Sequence, residues 1–334
     1  MPTVSTVSTN PLEGQEEDFN EVLGRAPMKA ARVHAYGGPE QLIYEDAPTP
    51  SPGAGEVLVK VEACGVNPLD VWFRSGHLSA RFARPLPFIP GWEIAGTVCA
   101  TGPGVTDLKV GQAVFGLLDV TADGGYAEYT VVECGRLRPT PPGLDSVQAA
   151  ALPLAGLTGV QMVENSLDVL RGERLLVTGA LGPVGRSAVY AARLRGAEIV
   201  AGVRRERLQE AESVFGVECI AIDEPDTVAR FASSFDAVVD TIGPAALAPL
   251  YDTVRPGGRI VTVVPLPPAD IGSRSLSMTH MAVKLDPDRT ITLAEDVIGG
   301  RLALAPVQHM PLSEAAQAHV QIQGRGGKKI VLCP

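Results

Sequence analysis

The chain has 334 residues, 45% of them hydrophobic and 20% charged, which is long enough for two apolar cores and too apolar for a disordered protein. Its net charge of −10 argues against a general affinity for nucleic acid or anionic membrane. No uninterrupted apolar run reaches membrane-spanning length. Residues 1–27 start with Ser, Thr and Asn and turn acidic over Glu13–Glu21. They lack the basic segment and apolar core of a secretory signal, and their acidity is the opposite of a mitochondrial transit peptide. They read as a flexible tail with a short helix near Phe19–Leu23.

From Met28 the pattern becomes strand-rich. Lys29–His34, Gln41–Glu45, Val57–Ala63, Ile94–Ala100, Ala113–Gly116 and Ala127–Val132 read as short strands punctuated by Pro and Gly, with Pro48–Gly55 as a turn-rich connection. Ser146–Ala151 turns helical, and Leu152–Glu164 continues helical through Pro153. From Arg174 strands and helices alternate: Leu175–Thr178, Ile199–Val203, Glu218–Ile222, Ala237–Asp240 and Arg259–Val264 are the strands, the last entered through a turn at Arg255–Gly258. That alternation predicts a doubly wound α/β sheet. Near Asp286–Asp288 the chain leaves this unit. A helix over Thr292–Ile298, a strand near Val307, a helix from Ser313 and a strand Lys329–Leu332 follow, and these return to the first, β-rich unit.

The chain is organised around Arg174–Arg205. An apolar β-branched strand leads into glycines spaced three apart, Gly179, Gly182 and Gly185, with Pro183 and Val184 between the last two. A helix follows over Val184–Leu194, with Val184, Ala188, Ala191 and Leu194 as its apolar stripe, and then a second strand. Strand, glycine turn, helix, strand is the first βαβ unit of a dinucleotide-binding sheet: glycine lets the backbone approach a pyrophosphate, and the helix N-terminus offers unpaired N–H groups and positive potential. About 20 residues after such glycines an NAD enzyme places an acid on the ribose 2′-hydroxyl. This chain has Arg204 and Arg205 there. Two guanidiniums match a 2′-phosphate, which predicts NADPH over NADH; the other reading is a solvated charge cluster that Arg207 extends.

The five cysteines, Cys64, Cys99, Cys134, Cys219 and Cys333, are scattered without C-x-x-C spacing. They read as reduced thiols of a cytoplasmic protein. His34, His77, His280, His309 and His319 are equally dispersed and show no metal-ligand spacing.

From Met28 to Pro334 the chain resembles the medium-chain dehydrogenase/reductase superfamily, in its zinc-independent quinone oxidoreductase branch. The likeness rests on Gly55–Gly76, Pro87–Val98, Gly124–Tyr129, Leu157–Gly159, the glycine turn and Gly327–Leu332. It implies a β-rich GroES-like catalytic domain over 28–152 and 288–334, and a Rossmann domain over 153–287. It also implies a homodimer joined along sheet edges near Ser277–Lys284. At the positions where zinc-dependent relatives carry ligands the chain has Asn67, Trp92 and Leu154, so no zinc site is expected. A quinone or an enone needs no Lewis acid to accept hydride, and the protein then supplies orientation, water exclusion and a donor to the developing oxyanion.

The resemblance further implies Asn67 beside nicotinamide and substrate, its amide donating to an oxyanion or to the nicotinamide ribose; read alone, Asn67 also suits a turn through Gly65–Pro68. Trp72 is implied as a wall for a flat acceptor, with packing at a domain interface as the alternative for Trp72 and Phe73. Thr158 is implied at the nicotinamide end, and Thr241 and Gly243 at the carboxyl end of a sheet strand, where ligands bind. Asp70 and Asp240 read as structural, and Arg325 and Lys328 as a solvated run or as partners of cofactor phosphate. Enoyl reductases of the superfamily carry a tyrosine where this chain has Pro68. Reduction of a biosynthetic enoyl intermediate is therefore the second expectation. A non-catalytic NADPH-binding sensor is the third.

Overall fold

A computed structural model describes residues 26–264, 275–324 and 328–334. The tail assigned to residues 1–27, with its short helix, lies outside these residues except at its last two, and the first strand already begins at Pro27.

The first strands are β1 (Pro27–Val33), β2 (Leu42–Pro48) and β3 (Glu56–Val66), followed by a short helix α1 (Pro68–Arg74). Next come β4 (Glu93–Thr101), β5 (Ala113–Leu117), β6 (Tyr129–Glu133) and β7 (Leu137–Pro139), then α2 (Ser146–Ala151) and α3 (Pro153–Gln161). β1 and β2 form an antiparallel pair. Val57, Val59 and Val61 alternate along β3 toward a core with Phe88, Trp92 and Tyr126, the period-2 pattern of a sheet face.

The second unit starts with β8 (Arg174–Thr178), α4 (Pro183–Arg195) and β9 (Glu198–Val203). It continues with α5 (Leu208–Phe215), β10 (Glu218–Ala221), α6 (Pro225–Arg230), β11 (Phe235–Asp240), α7 (Pro244–Leu247), β12 (Val254–Thr262) and β13 (Ser277–His280). Among the described residues these strands form one sheet in the order β10-β9-β8-β11-β12-β13, and every pairing is parallel. Helices cover both faces, so the strands bury both sides: Leu175 and Val177 face one core, and Leu176 faces the other with Val200 and Val238. The order reverses between β8 and β11, which opens a crevice at their carboxyl ends.

The chain then passes through α8 (Pro287–Ile298), β14 (Val307–Pro311), α9 (Ala315–Gln323) and β15 (Lys329–Cys333). β15 pairs with β3, so the chain returns to the first sheet, whose order is β14-β15-β3-β4-β5-β7 with β6 also on β3.

Two expectations need correction. Leu194, read as part of the apolar stripe of α4, is 58% exposed, whereas Ala188, Ala191 and Ala192 are buried. Arg255–Gly258 is not a turn ahead of β12 but an irregularity inside it, where the register jumps from Phe235↔Val254 to Ala237↔Arg259.

Candidate active site

A cleft of about 1490 Å3 is lined by residues of both sheets. One end is the glycine turn. Gly179 leaves β8 with φ +61, and Gly182 precedes α4 without any side-chain cap. With Pro183 at the first helical position, the first-turn amides of α4 are left to a ligand. Gly185 lets the helix lie against the turn: a Cβ there would stand 2.3 Å from the Gly179 carbonyl oxygen. Gly179, Gly182, Pro183 and Val184 line the cleft, while Gly185 stands behind them as packing.

The strand ends at the crevice are pinned by Asp240, which is fully buried. Its carboxylate accepts from the Thr178 hydroxyl at 3.0 Å, from the Thr262 hydroxyl at 2.8 Å and from the Gly243 amide at 3.2 Å. Thr241 lines the cleft and donates its hydroxyl to the Thr178 carbonyl at 2.8 Å. Gly243 does not line the cleft; it turns the chain away at φ +106.

Beyond the carboxyl end of β9, the two arginines of the expected pair are placed differently. Arg204 and Arg207 line the cleft, and Arg205 does not. All three guanidiniums are paired with a glutamate, Arg204 with Glu206 at 3.1 Å, Arg205 with Glu224 at 2.9 Å and Arg207 with Glu210 at 2.6 Å, so their place in the cleft lining is what separates them; the Arg205 backbone N–H donates to Asp223 at 2.8 Å. A single turn over Arg205–Arg207 with about three residues per turn puts residues three apart, not adjacent ones, on one face. The Thr158 hydroxyl donates to the Leu154 carbonyl at 2.6 Å inside α3, and Thr158 is not among the residues that line the cleft. Arg325 lies outside the described residues, and Lys328 lines the cleft.

The opposite end is built on α1. Asn67 caps this helix, Pro68 opens it, and the Asp70 carboxylate accepts the Asn67 N–H at 2.7 Å and the Gly91 N–H at 3.1 Å. Burial pushes the Asp70 carboxyl up to about 7 against those amides. Trp72 and Val71 line the cleft, whereas Phe73 turns inward and packs at 5.0 Å from the Trp92 ring. Below them lies a buried ionic cluster that sequence reasoning missed. Lys329, 3% exposed at its side chain, donates to Glu93 Oε1 at 2.5 Å, to Asn67 Oδ1 at 2.7 Å and to the Val66 carbonyl at 3.1 Å. Asn67 Nδ2 donates to Glu93 Oε1 at 2.8 Å, and the Leu154 N–H donates to Glu93 Oε2 at 2.7 Å. Gly65 makes room for the carboxylate, since a Cβ there would sit 2.3 Å from Glu93 Oε1. Asn67 and Lys329 both line the cleft, and the Asn67 carboxamide joins this cluster.

The family model for the alcohol dehydrogenase GroES-like domain matches residues 53–142, and the model for zinc-binding dehydrogenase matches residues 183–285. The quinone oxidoreductase of Rattus norvegicus is 32% identical over 330 residues, spanning 92% of this chain and 99% of the relative. The chain belongs to the medium-chain dehydrogenase/reductase superfamily, in its quinone oxidoreductase branch. The structure of the quinone oxidoreductase from Coxiella burnetii is similar to this chain with a TM-score of 0.84 at 26% identity, over 92% of this chain and all (100%) of that one. A thermostable alcohol dehydrogenase from Pyrobaculum aerophilum, solved with cobalt and zinc bound, is similar with a TM-score of 0.78 at 29% identity, over 92% and 100%.

As a member of this superfamily the chain is an oxidoreductase that works with a nicotinamide cofactor, and the uncapped helix behind the glycine turn fits a dinucleotide's pyrophosphate. A catalytic zinc does not fit. Asn67 turns its carboxamide oxygen to Lys329, Trp92 is buried with its indole N–H unpartnered, and the Leu154 side chain has no ligating atom. No group of His, Cys, Asp and Glu among the described residues is placed to hold a metal ion. An ammonium at this point would also repel a dication.

Proposed function

We propose that this reductase is an NADPH-dependent, zinc-free enzyme that reduces a quinone or an α,β-unsaturated carbonyl. One observation carries the reading: the glycine turn and a floor without a metal-binding cluster among the described residues face the same cleft. Bound NADPH supplies a hydride from nicotinamide C4, and a quinone or enone accepts it without a Lewis acid. The chain's own residues do the rest. The first turn of α4 holds the pyrophosphate, and Arg204 with Arg207 holds the 2′-phosphate. Trp72 and Val71 wall the acceptor against water, and Asn67 orients its reacting oxygen. The exposed edge of β13 is where a second copy would extend the sheet into a homodimer.

The test is the initial rate of cofactor oxidation after chelator treatment, with NADPH and with NADH, against a small benzoquinone, a flat polycyclic quinone and an enone. The expected result is chelator-resistant turnover that is at least about tenfold faster with NADPH at low cofactor concentration. Activity lost on chelation, or equal use of NADH, overturns the corresponding half of the reading.

A further inference from the structure

The Lys329–Glu93 pair is an unusual choice for the floor of an apolar cleft. A buried ion pair adds little stability over apolar residues of the same volume, because desolvation offsets its attraction. Its arrangement instead specifies one side chain. Lysine has only donors and a carboxylate only acceptors. Asn67, wedged between them, must therefore turn Oδ1 to Lys329 at 2.7 Å and Nδ2 to Glu93 at 2.8 Å. The ammonium is itself immobile, since Glu93, Asn67 and the Val66 carbonyl accept its three protons. Asn67 Nδ2 also donates to the Gly65 carbonyl at 3.4 Å, a long and weak bond that an acceptor oxygen in the cleft can displace. That proton belongs to a residue that lines the cleft.

Building on the reductase reading above, we propose that Lys329 is a positioning residue: clamped by Glu93, it fixes and polarises the Asn67 carboxamide so that its remaining N–H donates to the acceptor oxygen that gains charge during hydride transfer. A cation on the amide oxygen draws electron density from the nitrogen and strengthens its N–H donors. A donor set in place before the reaction stabilises developing charge without reorganising. Lys329 gives up no proton in this scheme, and the acceptor's proton comes from water.

The experiment uses the full chain and the paired variant Lys329→Met/Glu93→Gln, which removes both charges together and leaves neither buried alone. With NADPH and benzoquinone, kcat is expected to fall about tenfold to hundredfold while KM for NADPH stays put. Asn67→Ala should fall similarly, and the triple variant no further, because residues acting through one group are not additive. The second readout needs no turnover: the Asn67 side-chain amide NMR signals, assigned by their loss in Asn67→Ala, should shift and broaden in the paired variant. A paired variant that keeps wild-type kcat, a loss that multiplies with that of Asn67→Ala, or unchanged Asn67 signals would each overturn the proposal. A wild-type protein inert toward quinones and enones would instead sink the reductase reading, and the NMR arm would still decide whether Lys329 positions Asn67.

Discussion

The two ends of the cleft are made in opposite ways. The cofactor end is mostly backbone: a glycine turn, an uncapped helix and strand ends pinned by one carboxylate, all but Asp240 and its partners drawn from one short stretch of chain. The acceptor end is side chains that meet from far apart, with Lys329 reaching Glu93 across 236 positions. A backbone site tolerates most side-chain changes but no loss of space. A side-chain site tolerates bulk nearby but not the loss of a partner.

The largest test of that contrast is Glu93→Ala. It leaves the Lys329 ammonium buried without its counter-ion, and unfolding in urea should show a loss of about 3–5 kcal/mol. Equal stability to wild type would mean that water reaches this end freely. Next is Asp70→Asn. Burial raises the folded-state carboxyl from the ordinary carboxylate range to about 7. Its contribution to stability is therefore fully present below about pH 4 and lost as pH rises through about 7, at up to about 1.4 kcal/mol per pH unit. Denaturation midpoints measured from pH 4 to 8 should slope downward in wild type and flatten in the variant; identical slopes would remove Asp70 as the cause. At the cofactor end, Gly185→Ala pushes a methyl into the Gly179 carbonyl and the Ala180 backbone, which cannot move aside. It should cost about 1–3 kcal/mol and weaken NADPH binding measured by fluorescence, where the same change on an open surface costs nothing. The smallest expected effect separates two neighbours. Arg204→Ala should weaken NADPH about tenfold and leave NADH alone, while Arg205→Ala, which only frees Glu224, should leave both unchanged. Selective loss of NADPH in both variants would restore the adjacent pair as the phosphate clamp.

The same contrast decides what the sequence made legible. The doubly wound order, the return of the last strands and the glycine turn follow from local periodicity and turn chemistry, which a short window carries. The helix after Asn67 was also there to be read, as an Asn-Pro-x-Asp capping box, yet Gly65–Pro68 read more simply as a turn. Arg207 needed the geometry of the turn between β9 and α5, not its composition. Lys329 was illegible for a stronger reason. In Lys328-Lys329-Ile330 it reads as the edge of a strand, and lysine is almost never buried without a partner. That partner is Glu93, which no spacing in the chain connects to it.

The order in which the chain is made gives the cluster one more consequence. Synthesis delivers Asn67 and Glu93 first, then every strand of the parallel sheet, and only afterwards Lys329 on β15. Until β15 docks on β3, Glu93 is a carboxylate with no cation to meet it, and closing the first sheet dry around it is costly. The nucleotide sheet, whose strands follow one another without interruption from the first sheet, has no such debt. The growing chain should therefore hold a finished cofactor half beside an open acceptor half, with the last strand acting as the key that shuts it.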